Sequence, residues 1–311
     1  MSSRTTRLAI GIDVGGTSIR AGLVDEFGEC LSTHRCATPV EVSADALVDR
    51  IVEMALRVRL DAEPIPTSTL PIGLAVPGCF DAARRTIVRS VNVPLSEGAP
   101  LGEMLAQRYD GGPVIMMNDA EAATWGEYGA RKDVDDSCTF VHLRLGTGIA
   151  CGVVQSGSLR RLAEGRGTHW EILVIADAPR EALCLCGVPG CLEGIASGVA
   201  LIRQAECIGF ADGVIGLQSA WEQGDLTVRD IISHAAGAVR AVMGNICEQL
   251  HPRMICLGGG VLKHLPALEC GILEVGQNDK ATAFGTELVT ASLGENAGVI
   301  GAAITALNPG M

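Results

Sequence analysis

With 311 residues, 48% of them hydrophobic and only 3% aromatic, and with 39 glycines, the chain predicts an α/β interior of Ala, Val, Leu and Ile, many tight turns and two domains. A formal net charge of -12 argues against sequence-independent nucleic-acid binding, which needs a Lys/Arg surface, but leaves room for an anionic ligand held by backbone N–H groups and Mg²⁺. No apolar run reaches the roughly 18 residues of a membrane span and the first residues lack a signal peptide, so the expected setting is the cytoplasm, without membrane partners and with most of the 12 cysteines reduced.

In chain order, "LAIGIDV" and "SIRAGLVD" read as strands joined by the turn Gly15-Gly16-Thr17. "SADALVDRIVEMALRVRLD" reads as a helix, because Ala46, Leu47, Ile51, Met54, Ala55 and Val58 recur near helical spacing behind Ser43 as N-cap. "LPIGLAVPG" is a strand ending at Pro77-Gly78, and "TIVRSVNVPL" is a short extended segment. "PVIMMNDAEAATWGEYGA" turns from strand to helix at Asn118-Asp119, and such strand ends are where open α/β sheets gather ligands.

At Cys138 the plan restarts: "CTFVHLRLGTGIACGVVQSGSL" gives a strand, the turn Gly146-Thr147-Gly148 and a second strand. Its similarity to "IDVGGTSIRAGLV" reads as an internal repeat and predicts two similar α/β halves, residues 1-120 and 121-311. The second half adds a helix over "TVRDIISHAAGAVRAVMGNICEQL", stopped by His251-Pro252, a strand "RMICLGGGVL" and a last helix in "NAGVIGAAITAL". Cys151, Cys247 and Cys256 sit in apolar runs and are expected to be buried small hydrophobes.

A glycine turn between strands lets phosphate oxygens approach backbone N–H groups, and a threonine adds a hydroxyl donor. Gly15, Gly16 and Thr17 form one such turn; Gly146, Thr147 and Gly148 form another. Either alone is also an ordinary hairpin turn. A matched pair, with Asp13 just ahead of the first, points instead to a nucleotide. Asp13 offers a hard oxygen for Mg²⁺, directly or through water, and the flat surface of Gly258 and Gly259 in "CLGGGVL" suits an adenine or ribose. No "GKT" or "GKS" follows a glycine run, which excludes a Walker P-loop.

These stretches, in this order, resemble the sugar kinase, Hsc70 and actin superfamily, and within it the ROK family of repressors and sugar kinases. "IGIDVGGTSIRAGLVD" and "LGTGIACGVV" are similar to its two phosphate motifs, "GLAVPGCFD" and "RSVNVPL" to its sugar loops, "MNDAEAA" to its catalytic motif, "CLCGVPGCLEG" to its cysteine signature and "ICLGGGVL" to its adenosine motif. The resemblance implies two actin-like (ribonuclease H-like) α/β domains flanking a nucleotide and sugar cleft. It also implies Asp119 as the general base that takes a proton from a sugar hydroxyl, usually the 6-hydroxyl, as it attacks the γ-phosphate of ATP. Asn118 and Asn92 match residues that bond sugar hydroxyls, Gly78 lies where the backbone passes the sugar, and Glu171 and Glu193 match further sugar ligands. The residue types suit these tasks, since phosphoryl transfer needs positioning, Mg²⁺ and an aligned carboxylate, and a carboxylate accepts two hydroxyl protons in a fork. Taken alone, Asp119 reads first as a helix N-cap, and Glu171 also reads as a solvated helix-end glutamate.

One departure stands out. The family typically carries glutamate, an apolar residue, glycine and a histidine that binds zinc and sugar, whereas this chain has Glu171-Ile172-Leu173-Val174. Cys184, Cys186 and Cys191 remain, but a structural zinc takes four ligands. Three outcomes stay open: Zn²⁺ with a substitute ligand such as His169, Asp177, Glu181 or water, a metal-free cluster, or a disulfide.

The resemblance implies an ATP- and Mg²⁺-dependent hexose kinase, homodimeric as the family often is. "NVPLSEGAPLGEMLA" and "GGGVLKHLPALECGIL" resemble allose kinases and nominate D-allose, with glucose or N-acetylmannosamine as alternatives. A repressor would carry a helix-turn-helix ahead of the first phosphate motif, which here begins near Met1. A catalytically weakened sugar-binding relative is the third reading, because Val174 neither bonds hydroxyls nor binds metal. Retention of Asp13, Asp119 and both turns favours activity.

Overall fold

The computed structural model describes residues 6–39, 43–62, 69–81, 86–89, 97–110, 112–131, 134–160, 190–210, 212–274 and 285–309. They form two compact units, one from the described residues of 1–133, 158–168 and 295–311, the other from those of 134–157 and 169–294.

The first unit contains β1 (Leu8–Val14), β2 (Ser18–Asp25), β3 (Cys30–Ala37), α1 (Ala44–Leu60), β4 (Ile72–Val76), the antiparallel pair β5 (Cys79–Asp81) and β6 (Thr86–Arg89), α2 (Leu101–Arg108), β7 (Val114–Asn118) and α3 (Asp119–Ala130). Its sheet runs β3-β2-β1-β4-β7. The β1/β2 and β2/β3 pairs are antiparallel, and the β1/β4 and β4/β7 pairs are parallel. On one face Ile10, Ile12 and Val14 of β1 pack with Leu47, Ile51, Met54 and Val58 of α1, which is why those apolar residues recur at helical spacing. Ser43 holds the N-cap position of α1, but its side chain makes no cap hydrogen bond.

The second unit begins with β8 (Thr139–Leu145) and β9 (Ile149–Gln155). The two-residue strand β10 (Ser158–Leu159) is counted with the first unit, and the second continues with α4 (Glu193–Ala196), α5 (Gly198–Cys207), α6 (Gly213–Glu222), α7 (Leu226–Leu250), β11 (Met254–Gly258), α8 (Gly260–His264), α9 (Pro266–Leu273) and β12 (Glu287–Thr290). Strands β9-β8-β11-β12 repeat the order and the directions of β2-β1-β4-β7, with an antiparallel first pair followed by two parallel ones. The internal repeat read from the two glycine turns is therefore a repeat of sheet topology. Asp225 caps α7 by accepting from the Val228 N–H at 3.0 Å, and the helix ends at His251, in the left-handed region with φ 44°, followed by Pro252. Val239, Val242, Met243 and Ile246 of α7 share a core with Val141, Leu143 and Val153 of the sheet. Cys151, Cys247 and Cys256 are buried, as expected. Val199 and Ile202 of α5 and Ile215 of α6 stand exposed.

The last helix, α10 (Ala297–Leu307), returns to the first unit and covers the other face of its sheet. It lies backbone against backbone. A Cβ at Gly11 of β1 would run into the Val299 carbonyl, one at Gly73 of β4 into the Ala302 carbonyl, and one at Gly301 into the Ala122 carbonyl of α3. The single boundary expected after residue 120 consequently falls inside α3, and α3 and α10 both lie with the first unit. Among the described residues no helix is long and apolar enough to cross a membrane.

Substitution at these seats should be costly. Gly73→Ala is expected to lower stability by about 3 kcal/mol through overpacking against rigid backbone. Gly237→Ala, inside α7 where a Cβ meets nothing within 4 Å, is expected to raise it by about 0.5–1 kcal/mol. Denaturant unfolding followed by circular dichroism checks both signs.

Candidate functional site

In the first unit the parallel register Asp13↔Ala75↔Met117 brings three distant stretches to one edge of the sheet. The turn Gly15-Gly16-Thr17, the bend at Pro77-Gly78 and the switch Asn118-Asp119 all leave there, at the strand ends where open α/β sheets bind ligands.

The first turn is closed by the Gly15 N–H donating to the Ser18 carbonyl at 2.9 Å. Its other anchor is Thr38, which carries no motif in the sequence. The buried Thr38 hydroxyl donates to the Gly15 carbonyl at 2.6 Å, and the Thr38 N–H donates to the Thr17 carbonyl at 3.1 Å. A trans peptide holds its C=O and the following N–H antiparallel, so pinning these two carbonyls turns the N–H groups of Gly16 and Ser18 away from Thr38. Gly16 and Thr17 are exposed at the tip.

Asp13 is half-buried at the end of β1, over the first turn of α10. A Cβ at Gly298 would stand 2.7 Å from its Oδ2, so glycine there leaves the space that the carboxylate fills. A carboxylate oxygen beside a phosphate-type turn is a hard donor of the kind that fits Mg²⁺.

Asn118, not Asp119, caps α3. Its Oδ1 accepts from the N–H groups of Ala120 at 2.8 Å and Glu121 at 3.2 Å, while Nδ2 donates to the Gly78 carbonyl at 2.9 Å. Gly78 has φ 95°, a conformation that glycine adopts without a Cβ penalty. One buried amide thus fixes both the bend and the helix start. Asp119, the first residue of α3, is half-buried and is left out of the capping role that its residue type alone permits. With both Oδ1 lone pairs engaged, what Asn118 can offer a ligand is its second Nδ2 hydrogen.

In the second unit the pairing Gly258↔Arg144 brings Gly146-Thr147-Gly148 and Gly259 to one edge. Gly259, with φ 105°, lies so close that a Cβ would be 2.6 Å from the Leu145 carbonyl carbon. Two of the three glycine pieces separated in sequence are therefore adjacent. The Gly146 N–H donates to the Gly148 carbonyl at 2.8 Å. The first N–H groups of α5, from Gly198 and Val199, donate to the carbonyls of Gly146 at 2.8 Å and Thr147 at 3.2 Å, and Ser197 caps the same helix through the Ala200 N–H. By the same peptide geometry the N–H groups of Thr147 and Gly148 point away from α5. What Thr38 does for the first turn, a helix N-terminus does for the second.

Glu193 opens α4, and its Oε2 accepts the Ile149 N–H at 2.9 Å, immediately after that turn. Cys191 is buried just ahead of α4. Asn92, Glu171, Val174, Cys184 and Cys186, with His169, Asp177 and Glu181, lie outside the described residues. Among those described, no group of three or more His, Cys, Asp or Glu could hold a metal ion.

Residues 9–308 match the ROK family. The chain belongs to the ROK family. The glucokinase of Streptomyces coelicolor is 32% identical over 330 residues, covering 97% of this chain and 98% of its own. A ROK hexokinase from Thermus thermophilus superposes with a TM-score of 0.81 at 29% identity, over 96% of this chain and 98% of that one. A ROK family glucokinase from Streptomyces griseus, in complex with glucose and AMPPNP, does so with a TM-score of 0.74 at 30% identity, over 96% and 99%. This ROK protein is an ATP-dependent carbohydrate kinase whose paired α/β units have the actin-like fold.

Asn118→Ala is expected to lower stability by about 1 kcal/mol through loss of the α3 cap. Asn118→Asp keeps the cap acceptor but sets an anion against the Gly78 carbonyl, so it should recover only part of the loss. Urea titrations of the two variants beside wild type measure the difference.

Proposed function

We propose that this ROK protein transfers the γ-phosphate of ATP to a hexose hydroxyl, the 6-hydroxyl by family resemblance, with Asp119 as general base. D-Allose is the nominated sugar, with glucose or N-acetylmannosamine as alternatives, and the enzyme is proposed to act in the cytoplasm as a homodimer. The observation that carries the reading is the double lock of Asn118. It caps α3 and holds Gly78, so Asp119 is presented from a fixed helix start on the same sheet edge as the first phosphate-type turn.

Each residue then has a definite task. Asp119 accepts the proton of the attacking hydroxyl as its oxygen bonds to the γ-phosphorus and the bond to the β-phosphate oxygen breaks. The N–H groups of Gly16, Ser18, Thr147 and Gly148, with the hydroxyls of Thr17 and Thr147, receive phosphate oxygens. Asp13 would hold Mg²⁺, whose charge offsets that of the phosphates. Gly258 and Gly259 face the adenosine. Asn118 and Asn92, the backbone at Gly78, and Glu171 and Glu193 orient the sugar, and Cys184, Cys186 and Cys191, with a substitute for the histidine that Val174 replaces, would hold Zn²⁺ as a brace, with no chemical step assigned to it.

A coupled ADP-release assay over D-allose, D-glucose and N-acetylmannosamine tests this. Asp119→Asn is expected to cut kcat by about 10²- to 10⁴-fold with little change in sugar KM. Turnover equal to wild type would remove Asp119 from the role. Binding of AMPPNP without turnover of any sugar would favour the weakened sugar-binding relative. Thr38→Val removes one hydrogen bond from the first turn and should raise the ATP KM by about 2- to 12-fold, the equivalent of about 0.5–1.5 kcal/mol. Thr38→Ser should restore it, and the sugar KM should not move.

A further inference from the structure

The second glycine turn is gripped by one short run of chain. From Glu193 to Val199 that run makes three contacts: the Glu193 carboxylate on the Ile149 N–H, and the N–H groups of Gly198 and Val199 on the carbonyls of Gly146 and Thr147. The run is itself fixed, because Leu192, Ile195 and Ala196 are buried in the core of the second unit. Gly148 leaves room for the carboxylate, since a Cβ there would stand 2.6 Å from Oε2 and 3.3 Å from Cδ. The Glu193 contact is the charge-assisted one of the three and the only one made by a side chain. It sits where β9 begins, so it fixes where the turn ends.

We infer that Glu193 is a positioning residue for the nucleotide turn as well as a sugar ligand, so that sugar and nucleotide bind cooperatively through one carboxylate. The inference rests on the sugar-kinase reading above. A carboxylate offers about four lone-pair positions, so accepting the Ile149 N–H does not prevent it from accepting a sugar hydroxyl. A sugar that fixes the carboxylate from one side fixes the Ile149 amide from the other, and with it the outward N–H groups of Thr147 and Gly148. Linkage makes the effect reciprocal: nucleotide on the turn must tighten the sugar by the same factor.

The test is a calorimetric titration of AMPPNP, without sugar, into wild type, Glu193→Ala and Glu193→Gln. Glu193→Ala is expected to weaken AMPPNP by about fivefold or more, whereas Glu193→Gln, whose amide oxygen still accepts the Ile149 N–H, stays within about twofold of wild type. A residue serving the sugar alone would leave all three equal, and that result overturns the inference while the kinase reading stands. Failure of wild type to bind AMPPNP would instead undo the kinase reading. Amide hydrogen exchange on wild type gives a second measurement that needs no variant. With D-glucose, D-allose and N-acetylmannosamine added in turn and no nucleotide, exchange at Ile149 should slow for the sugar that is turned over. Unchanged exchange under all three sugars overturns the coupling, including where Glu193→Ala fails to fold.

Discussion

The contact on which the rest of the first unit depends is the seating of α10 directly on backbone. Gly11, Gly73 and Gly301 remove the side chains that would otherwise hold the helix off β1, β4 and α3. At such separations there is no layer of flexible side chains to absorb an error, so the three elements are fixed relative to one another by main-chain contact. The chemistry-bearing residues inherit that rigidity. Asp13 stands on β1 against Gly298, and Asp119 begins the helix whose Ala122 carbonyl faces Gly301. The proposed base and the proposed Mg²⁺ ligand are thus both located by α10.

The two halves share a topology but support their turns differently. In the first, a single buried threonine supplies both a hydroxyl and an amide to the turn carbonyls. In the second, a helix N-terminus supplies two amides and a glutamate adds a carboxylate. Orphan N–H groups at a helix start need acceptors in any case, so using turn carbonyls there satisfies both partners at once. Thr38 follows β3 directly, and the β2/β3 ladder, which pairs Ser18 with Ala37, delivers it to the turn. Either support pins the first and the last peptide group of its turn, which explains how one strand-turn-strand plan persists with different neighbours.

Much of this was legible in the sequence. Both glycine turns, the strand-to-helix switch at Asn118-Asp119 and the repeat between the halves are local patterns, and local patterns survive without knowledge of the fold. What was not legible depends on partners remote in the chain. Nothing about "GAAITAL" announces that it packs against Gly11 and Gly73, because the glycines on both sides form no period. The division of labour between Asn118 and Asp119 turns on the Gly78 carbonyl, 40 residues away. The hold of Glu193 on the Ile149 amide spans 44 residues and involves a backbone group that has no letter of its own. Thr38 was silent for the same reason, since a hydroxyl aimed at a carbonyl leaves no motif.

The place of α10 also bears on how this protein comes into being. Synthesis runs from the N-terminus, and a domain emerging from the ribosome generally folds as a unit once its residues are free. The second unit is drawn from within residues 134–294, so all of it is made, and leaves the exit tunnel, ahead of α10. The first unit begins earlier yet lacks one face of its sheet until the final helix, 11 residues long, leaves the exit tunnel. During that interval the glycine-lined backbone of β1 and β4 is uncovered, so the half of the protein made first is the half completed last.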